Sequence, residues 1–313
     1  VRGAGARPGA PPRHPGRQPR LNGWIVLDKP LGLTSAQGVA AIKRVLRTAG
    51  LPVPRIGHGG TLDPLATGVL PIALGEATKL AGRMLEATKG YAFTVAWGSA
   101  TTTEDAEGAV TATSDVRPTA AAIRAVLPRF TGPIVQTPPA YSALKIDGER
   151  AYKRARAGET VVLAERHLTI HALDLVEAGD DAATFEVTCS KGTYVRSLGR
   201  DLALALGTVG HLSMLRRTRA GPFTLADAIS LDKLNQSADG AALEQALLPL
   251  TAGLDDIPAF AVSPEEALSL RRGQALPGHP ALHGLYLATD GPVPVALVDL
   301  SPTAIRVVRG FNL

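Results

Sequence analysis

The chain has 313 residues, 45% hydrophobic and 19% charged, which allows a sizeable buried core and excludes a compositionally disordered protein. No run approaches the ~20 apolar residues of a membrane helix, no signal-type apolar segment stands near residue 1, and the single Cys189 excludes an internal disulfide framework; a cytoplasmic protein is expected. The net charge of +5 excludes little, because Arg2, Arg7, Arg13, Arg17 and Arg20 lie in an acid-free segment, leaving 28 Lys and Arg against 28 Asp and Glu.

Residues 1–21, rich in Pro, Gly and Arg, read as a disordered basic tail. Such a tail adds sequence-independent attraction to phosphates or is simply solvated. Because the rest of the chain is formally neutral, any nucleic-acid binding there needs a localised basic surface. Order is expected from about Leu21. Trp24–Leu27 reads as a short strand, closed by Asp28-Lys29-Pro30 and Gly32. Thr34 or Ser35 can cap a helix whose buried stripe is Val39, Ile42 and Leu46. A glycine-rich loop, Gly57-His58-Gly59-Gly60-Thr61-Leu62-Asp63-Pro64, follows. Residues 91–98 alternate Tyr91, Phe93, Val95 and Trp97 on one strand face, and residues 119–130 read as helical. Residues 136–160, rich in Pro, Tyr, Lys and Arg, form an excursion from the core that ends in a short helix through Tyr152. Residues 183–189 read as a strand, and a helix begins near Thr193. That helix should bury Val195, Leu198 and Leu202, with Arg196 and Arg200 on another face. From about Ala259 short strands such as Val293–Leu300 and Ala304–Val308 imply a small β-rich unit.

The common cofactor signatures, G-x-G-x-x-G, G-x-x-x-x-G-K-[ST] and H-E-x-x-H, do not occur. His167 and His171 are four residues apart but lie in β-like alternation without a carboxylate partner, and no metal site is expected there. What remains is the glycine-rich loop. Its glycines permit unusual backbone or close approach of another chain, and Pro64 steers Asp63 away from helical geometry. On local physics alone Asp63 reads as a turn or N-cap residue.

The stretch from Gly57 through Asp63 to Pro71, followed by Gly75-Glu76-Ala77-Thr78-Lys79, resembles the catalytic motif of the TruB family of tRNA pseudouridine synthases. Four further blocks occur in the family's order. They are Asp28-Lys29-Pro30 with Gly32 and Thr34-Ser35, then Lys89-Gly90-Tyr91, then Pro139–Lys145, and finally Cys189–Arg196 with its Gly-Thr-Tyr-Val-Arg core. One departure is Gly59, where many members carry Thr or Ala. The resemblance implies an α+β fold with a mixed, largely antiparallel central sheet, an inserted thumb at about 136–160 and a small β-rich C-terminal domain. In domain terms it implies a catalytic domain over 22–255 and a PUA-like domain over 256–313.

The resemblance also implies the chemistry. Uridine becomes pseudouridine by cleavage of the N1–C1′ bond, rotation of the base, and C5–C1′ bond formation, without cofactor or metal. Asp63 is implied as the carboxylate that attacks C1′ or assists elimination through C2′. A carboxylate in a drying site tends to protonate, and a neighbouring arginine opposes that; Arg196 is implied in this role. Tyr91 is implied to lie against the target base, and Tyr194 to be a second pocket residue. The target must be flipped out of its RNA stack, with His58 filling the vacated space. Gly60 and Leu62 belong to the same loop. Lys89, Lys145, Lys191, Arg150, Lys153 and Arg200 are candidate phosphate contacts. The expected substrate is the T-loop uridine (position 55) of tRNA, and the expected form is a monomer with no required protein partner. Two other readings compete. One is an RNA-binding or tRNA-folding module with secondary catalysis, and the other a guide-RNA-dependent synthase, disfavoured because only a short segment follows Ala259.

Overall fold

The computed structural model describes residues 21–142, 144–146, 148–161, 163–236 and 241–313; the side chains of Lys145, Ile146 and Arg150 and residues 1–20 of the tail expected over 1–21 lie outside the described part, while Leu21 is buried in the core. The N-terminal region contains β1 (Gly23–Lys29), α1 (Ser35–Thr48), β2 (Ile56–His58), β3 (Ala66–Leu74), α2 (Ala81–Glu86) and β4 (Lys89–Trp97). A hairpin of β5 (Ser99–Thr101) and β6 (Val110–Thr113) precedes α3 (Ala120–Val126) and β7 (Gly132–Gln136). The excursion holds a small hairpin, β8 (Lys145–Ile146) and β9 (Glu149–Arg150), and α4 (Ala151–Arg156). The chain returns through β10 (Arg166–Ala178), β11 (Ala182–Cys189), α5 (Val195–Ala205), β12 (Gly210–Ala220), β13 (Phe223–Thr224), β14 (Ala228–Ser230), α6 (Leu231–Gln236) and α7 (Ala241–Ala246).

These strands build one mixed sheet in the order β14-β1-β3-β12-β4-β11-β10-β7, with β2 on β3 and β13 on β12. The β1–β14 and β3–β12 pairs are parallel, and the remaining pairs are antiparallel. The expected α+β architecture is therefore observed. Alternation on β4 has the anticipated consequence: Phe93, Val95 and Trp97 are buried, and Phe93 stacks on Phe185 of β11 at 5.2 Å. Helix α5 covers this face with Val195, Leu198 and Leu202. On the neighbouring part of the sheet, α1 buries Ile42, Val45 and Leu46 against Leu27 and Leu70. Its start is a capping box between Thr34 and Gln37, which decides the Thr34-or-Ser35 question.

The C-terminal strands β15 (Ala259–Ala261), β16 (Leu276–Pro277), β17 (Gly284–Asp290), β18 (Val293–Leu300) and β19 (Ala304–Gly310), with α8 (Pro264–Arg271), form a second sheet around their own apolar cluster. This sheet is docked firmly. Leu287, Leu297 and Phe311 share a core with Trp24, Leu80, Met84 and Phe223. The Gly75–Lys79 segment adds polar ties. Lys79 Nζ donates to Glu76 (2.6 Å) and to the Gly310 carbonyl (2.8 Å), while the Asn312 amide donates to Glu76 (2.8 Å). That end of the motif thus holds the second sheet and does not face Asp63. No helix among the described residues is long and apolar enough to cross a membrane.

Candidate active site

Asp63 lies on the loop between β2 and β3, and every neighbour of that loop restrains it. Ser35 Oγ accepts from the Leu62 amide (2.8 Å) and donates to the Leu62 carbonyl (3.2 Å). The Gly32 amide donates to the Pro64 carbonyl at 2.8 Å. Lys29 is fully buried, and its ammonium donates to the carbonyls of Leu33 (2.6 Å), Pro30 (3.0 Å) and Pro64 (3.4 Å). On the other side Arg217 of β12 donates to the carbonyls of Val69 (2.7 Å), Thr61 (3.2 Å) and Gly60 (3.3 Å). Gly60 has φ of +131°, a conformation that a side chain would resist.

Gly59 is required for a different reason. A Cβ at that position would sit 2.7 Å from Met84 Cβ. The glycine is a packing solution, not a looser hinge. Gly59→Thr is therefore expected to destabilise the protein by about 1–3 kcal/mol through overpacking, and in urea unfolding the loss should be smaller in a Met84→Gly background, which lacks the clashing Cβ. Equal losses from Gly59→Thr with and without Met84→Gly would refute the account.

Arg196 is the second feature. It lies in the first turn of α5, and its side chain is only 7% exposed, so it is not on the helix's solvent face as its spacing from the apolar stripe suggested. Its guanidinium meets Asp63 Oδ2 at 2.9 Å and Asp105 Oδ2 at 3.7 Å. It also donates to the carbonyls of Thr103 (2.9 Å) and Tyr141 (3.0 Å). Arg196 thus bridges a half-exposed carboxylate and a buried one. Asp105 is itself held by Thr103 Oγ1 (2.5 Å) and the Glu107 amide (3.1 Å).

Around this pair opens a cavity of about 180 Å³ lined by Asp63, Arg196, Tyr91, Tyr194, Leu62 and Leu215, among others. Its lining thus combines a carboxylate, a guanidinium, two tyrosines and aliphatic side chains. Burial pushes the phenols of both tyrosines up, so each carries its proton at neutral pH. Tyr194 is the N-cap of α5, and Gln136 clamps its backbone through the amide (2.8 Å) and the carbonyl (3.1 Å).

The remaining expected residues divide. His58, half-buried on β2, has Nδ1 enclosed without a hydrogen-bond partner among the described residues; burial and the nearby Arg217 charge hold its pKa below the usual value, favouring a neutral ring. Lys89 faces inward: its ammonium donates to the carbonyls of Met84 (2.7 Å), Leu85 (2.8 Å) and Ala87 (2.5 Å). Its three donors are committed to protein, unlike those of a free phosphate contact. Lys191 is exposed and pairs with Glu86. Arg200 pairs with Glu104 (2.5 Å) and Asp201 (2.8 Å), while Lys153 is exposed on α4. The side chains of Lys145 and Arg150 lie outside the described part. His167 and His171 are exposed on β10. Sequence patterns do not single out Lys29, Asp105, Gln136 or Arg217, although Lys29 lies within the Asp28-Lys29-Pro30 stretch that carries part of the resemblance.

Desolvation lowers Lys29 from 10.5 to about 8, partly offset by Asp63. Below about 8 the folded and unfolded states both hold this proton. Between about 8 and 10.5 only the unfolded state holds it, so this group's contribution to stability rises with pH there. Urea midpoints of the native protein should therefore gain on those of Lys29→Met across that window. A pH-independent difference would contradict the assignment.

Two family models match the chain. The TruB family pseudouridylate synthase N-terminal domain covers residues 43–195, and the tRNA pseudouridylate synthase B C-terminal domain covers 196–255. A tRNA pseudouridine synthase B from Novosphingobium aromaticivorans is 60% identical, over 94% of this chain and 98% of that protein. Its counterpart from Zymomonas mobilis is 57% identical over 93% and 96%. Among solved structures, a Cbf5-Nop10-Gar1 complex matches with TM-score 0.72 and 28% identity, over 93% of this chain and 85% of that one. An H/ACA RNP bound to a substrate RNA containing 2'-deoxyuridine matches with TM-score 0.71 and 25% identity, over 94% and 86%. With identity this high over nearly its whole length, the chain belongs to the TruB family of tRNA pseudouridine synthases.

Proposed function

We propose that the chain isomerises the T-loop uridine (position 55) of tRNA, with Asp63 acting at ribose C1′. The observation that carries this reading is the Asp63–Arg196 pair at 2.9 Å lining one cavity with Tyr91 and Tyr194. A uridine flipped out of its loop would seat its base between the tyrosines and turn C1′ toward the carboxylate. Arg196 stays paired with that carboxylate and holds it in place as the base displaces water. The base then leaves C1′ through N1, turns within the cavity and rejoins through C5; direct attack and elimination draw on the same carboxylate. Tyr91 lies against the base during the turn. His58 occupies the space the uridine leaves. The reaction consumes no second substrate and takes place in the cytoplasm. The C-terminal sheet, PUA-like in this reading, extends the surface that meets RNA.

The test uses the purified chain with a bare T-stem-loop transcript, followed by carbodiimide or mass detection. Conversion of the single target uridine, with no guide RNA or protein partner added, is the expected result. A requirement for either would instead favour the guided branch, and no conversion of any tRNA substrate would overturn the proposal.

A further inference from the structure

Arg217 is among the largest fully buried side chains of the protein, 1% exposed. Among the described residues its hydrogen-bond partners are the carbonyls of Gly60, Thr61 and Val69, and no carboxylate bonds to it. A buried cation without an acid is costly, and an apolar side chain of similar volume would stabilise such a position at least as well. Stability alone therefore explains this arginine poorly, and its place in the sheet supplies another reason. In the β4–β12 ladder Arg217 stands directly opposite Tyr91, and in the parallel β3–β12 ladder it is the partner of Gly68. Strand β12 thus carries one guanidinium between the Asp63 loop and the tyrosine of the cavity wall. A guanidinium has donors only, in a fixed planar fork. Facing Tyr91 across the ladder, it presents positive charge and donors alone to that side chain, so the phenol oxygen is drawn toward Arg217 and the phenol proton is turned away from it.

We infer that Arg217 is a positioning residue for the isomerisation. It fixes the Asp63 loop through three carbonyls and orients the Tyr91 hydroxyl so that its proton faces the base in the cavity. This rests on the activity proposed above but concerns a different residue and a different failure. Burial also pushes Arg217 itself downward, while the phenol opposes that shift, so the two groups are electrostatically linked. The same charge reaches His58, Lys29 and Lys89, which are the other titratable cations facing it.

The decisive experiment is a double-mutant cycle on a T-stem-loop RNA with Arg217→Lys, Tyr91→Phe and both together. Single-turnover rates and RNA Kd are measured for each. Lysine keeps the charge but loses the fork. The single change R217K should slow the step by ~10-fold or more with Kd nearly unchanged, and by at least ~3-fold less than that once the Tyr91 hydroxyl is gone, the remaining loss being the share of the Asp63 loop. An equal slowing with and without that hydroxyl, or no slowing at all, overturns the inference. Full activity of Y91F would show the hydroxyl to be idle and overturn the inference while leaving the proposed isomerisation intact, whereas inactivity of the unaltered protein would strike at that isomerisation, so the two failures are distinguishable. If R217K does not fold, the unaltered protein decides. With arginine side chains labelled with 15N, Arg217 Nη protons should exchange slowly and show contacts to the Tyr91 ring. Solvent-rate exchange without such contacts would overturn the inference as well.

Discussion

Asp63→Asn should abolish pseudouridine formation while leaving the protein folded. The expected fall in single-turnover rate is on the order of 10⁴–10⁶-fold, the range found when a nucleophile is removed from an otherwise intact site. The substitution isolates charge from shape. Asparagine has the same outline and can still accept from Arg196, which meets Asp63 at 2.9 Å. What it lacks is the negative charge needed either to attack C1′ or to stabilise positive charge developing there. Stability should move little, because the Asp63 side chain is 42% exposed and the pair is partly solvated. RNA affinity should also be retained, since the loop is held by Ser35, Lys29 and Arg217 through backbone groups the change does not touch. A rate within about tenfold of the native value would sink the assignment. The same variant separates catalysis from RNA remodelling. If it still accelerates tRNA refolding, the protein carries a folding activity that does not depend on Asp63.

Much of this site was legible in the sequence, but for unequal reasons. Alternation placed Phe93, Val95 and Trp97 on the buried face of β4, and the cap signals placed α1, because each depends on residues close in sequence. The Asp63–Arg196 pair spans 133 positions, and only the resemblance joined its members. Helical spacing even pointed the wrong way for Arg196. It is off the apolar stripe of α5, yet it is buried by the Thr103–Asp105 segment, which no periodicity could bring to that spot. Lys29 and Arg217 were missed for a related reason. A cation that serves backbone carbonyls leaves no complementary acid in the sequence to mark it. Lys89 shows the converse error: basic residues at a strand start suggest phosphate, but three carbonyls take all its donors. The glycine at position 59 looked like added freedom and is instead a matter of room beside Met84.

The second large effect concerns the arginine. Arg196→Met should reduce both activity and stability, and the two losses should respond differently to a second change. Removing the guanidinium strands Asp105, whose side chain is 11% exposed, and leaves the Thr103 and Tyr141 carbonyls without their donor. Breaking a buried ion pair from one side typically costs about 3–5 kcal/mol. The activity loss should be at least ~10²-fold, as for removal of one preorganised electrostatic partner. Arg196→Lys should recover part of the stability, because a charge returns. It should recover little activity, because an ammonium cannot span Asp63, Asp105 and two carbonyls as a planar fork does. Adding Asp105→Asn to Arg196→Met removes the stranded charge. Unfolding in urea should then show the double variant to be more stable than the sum of its singles, while its rate stays low because Asp63 still lacks a partner. If instead Asp105→Asn restored the rate, the damage would have come from Asp105 repelling Asp63, and Arg196 would serve only to screen one acid from the other.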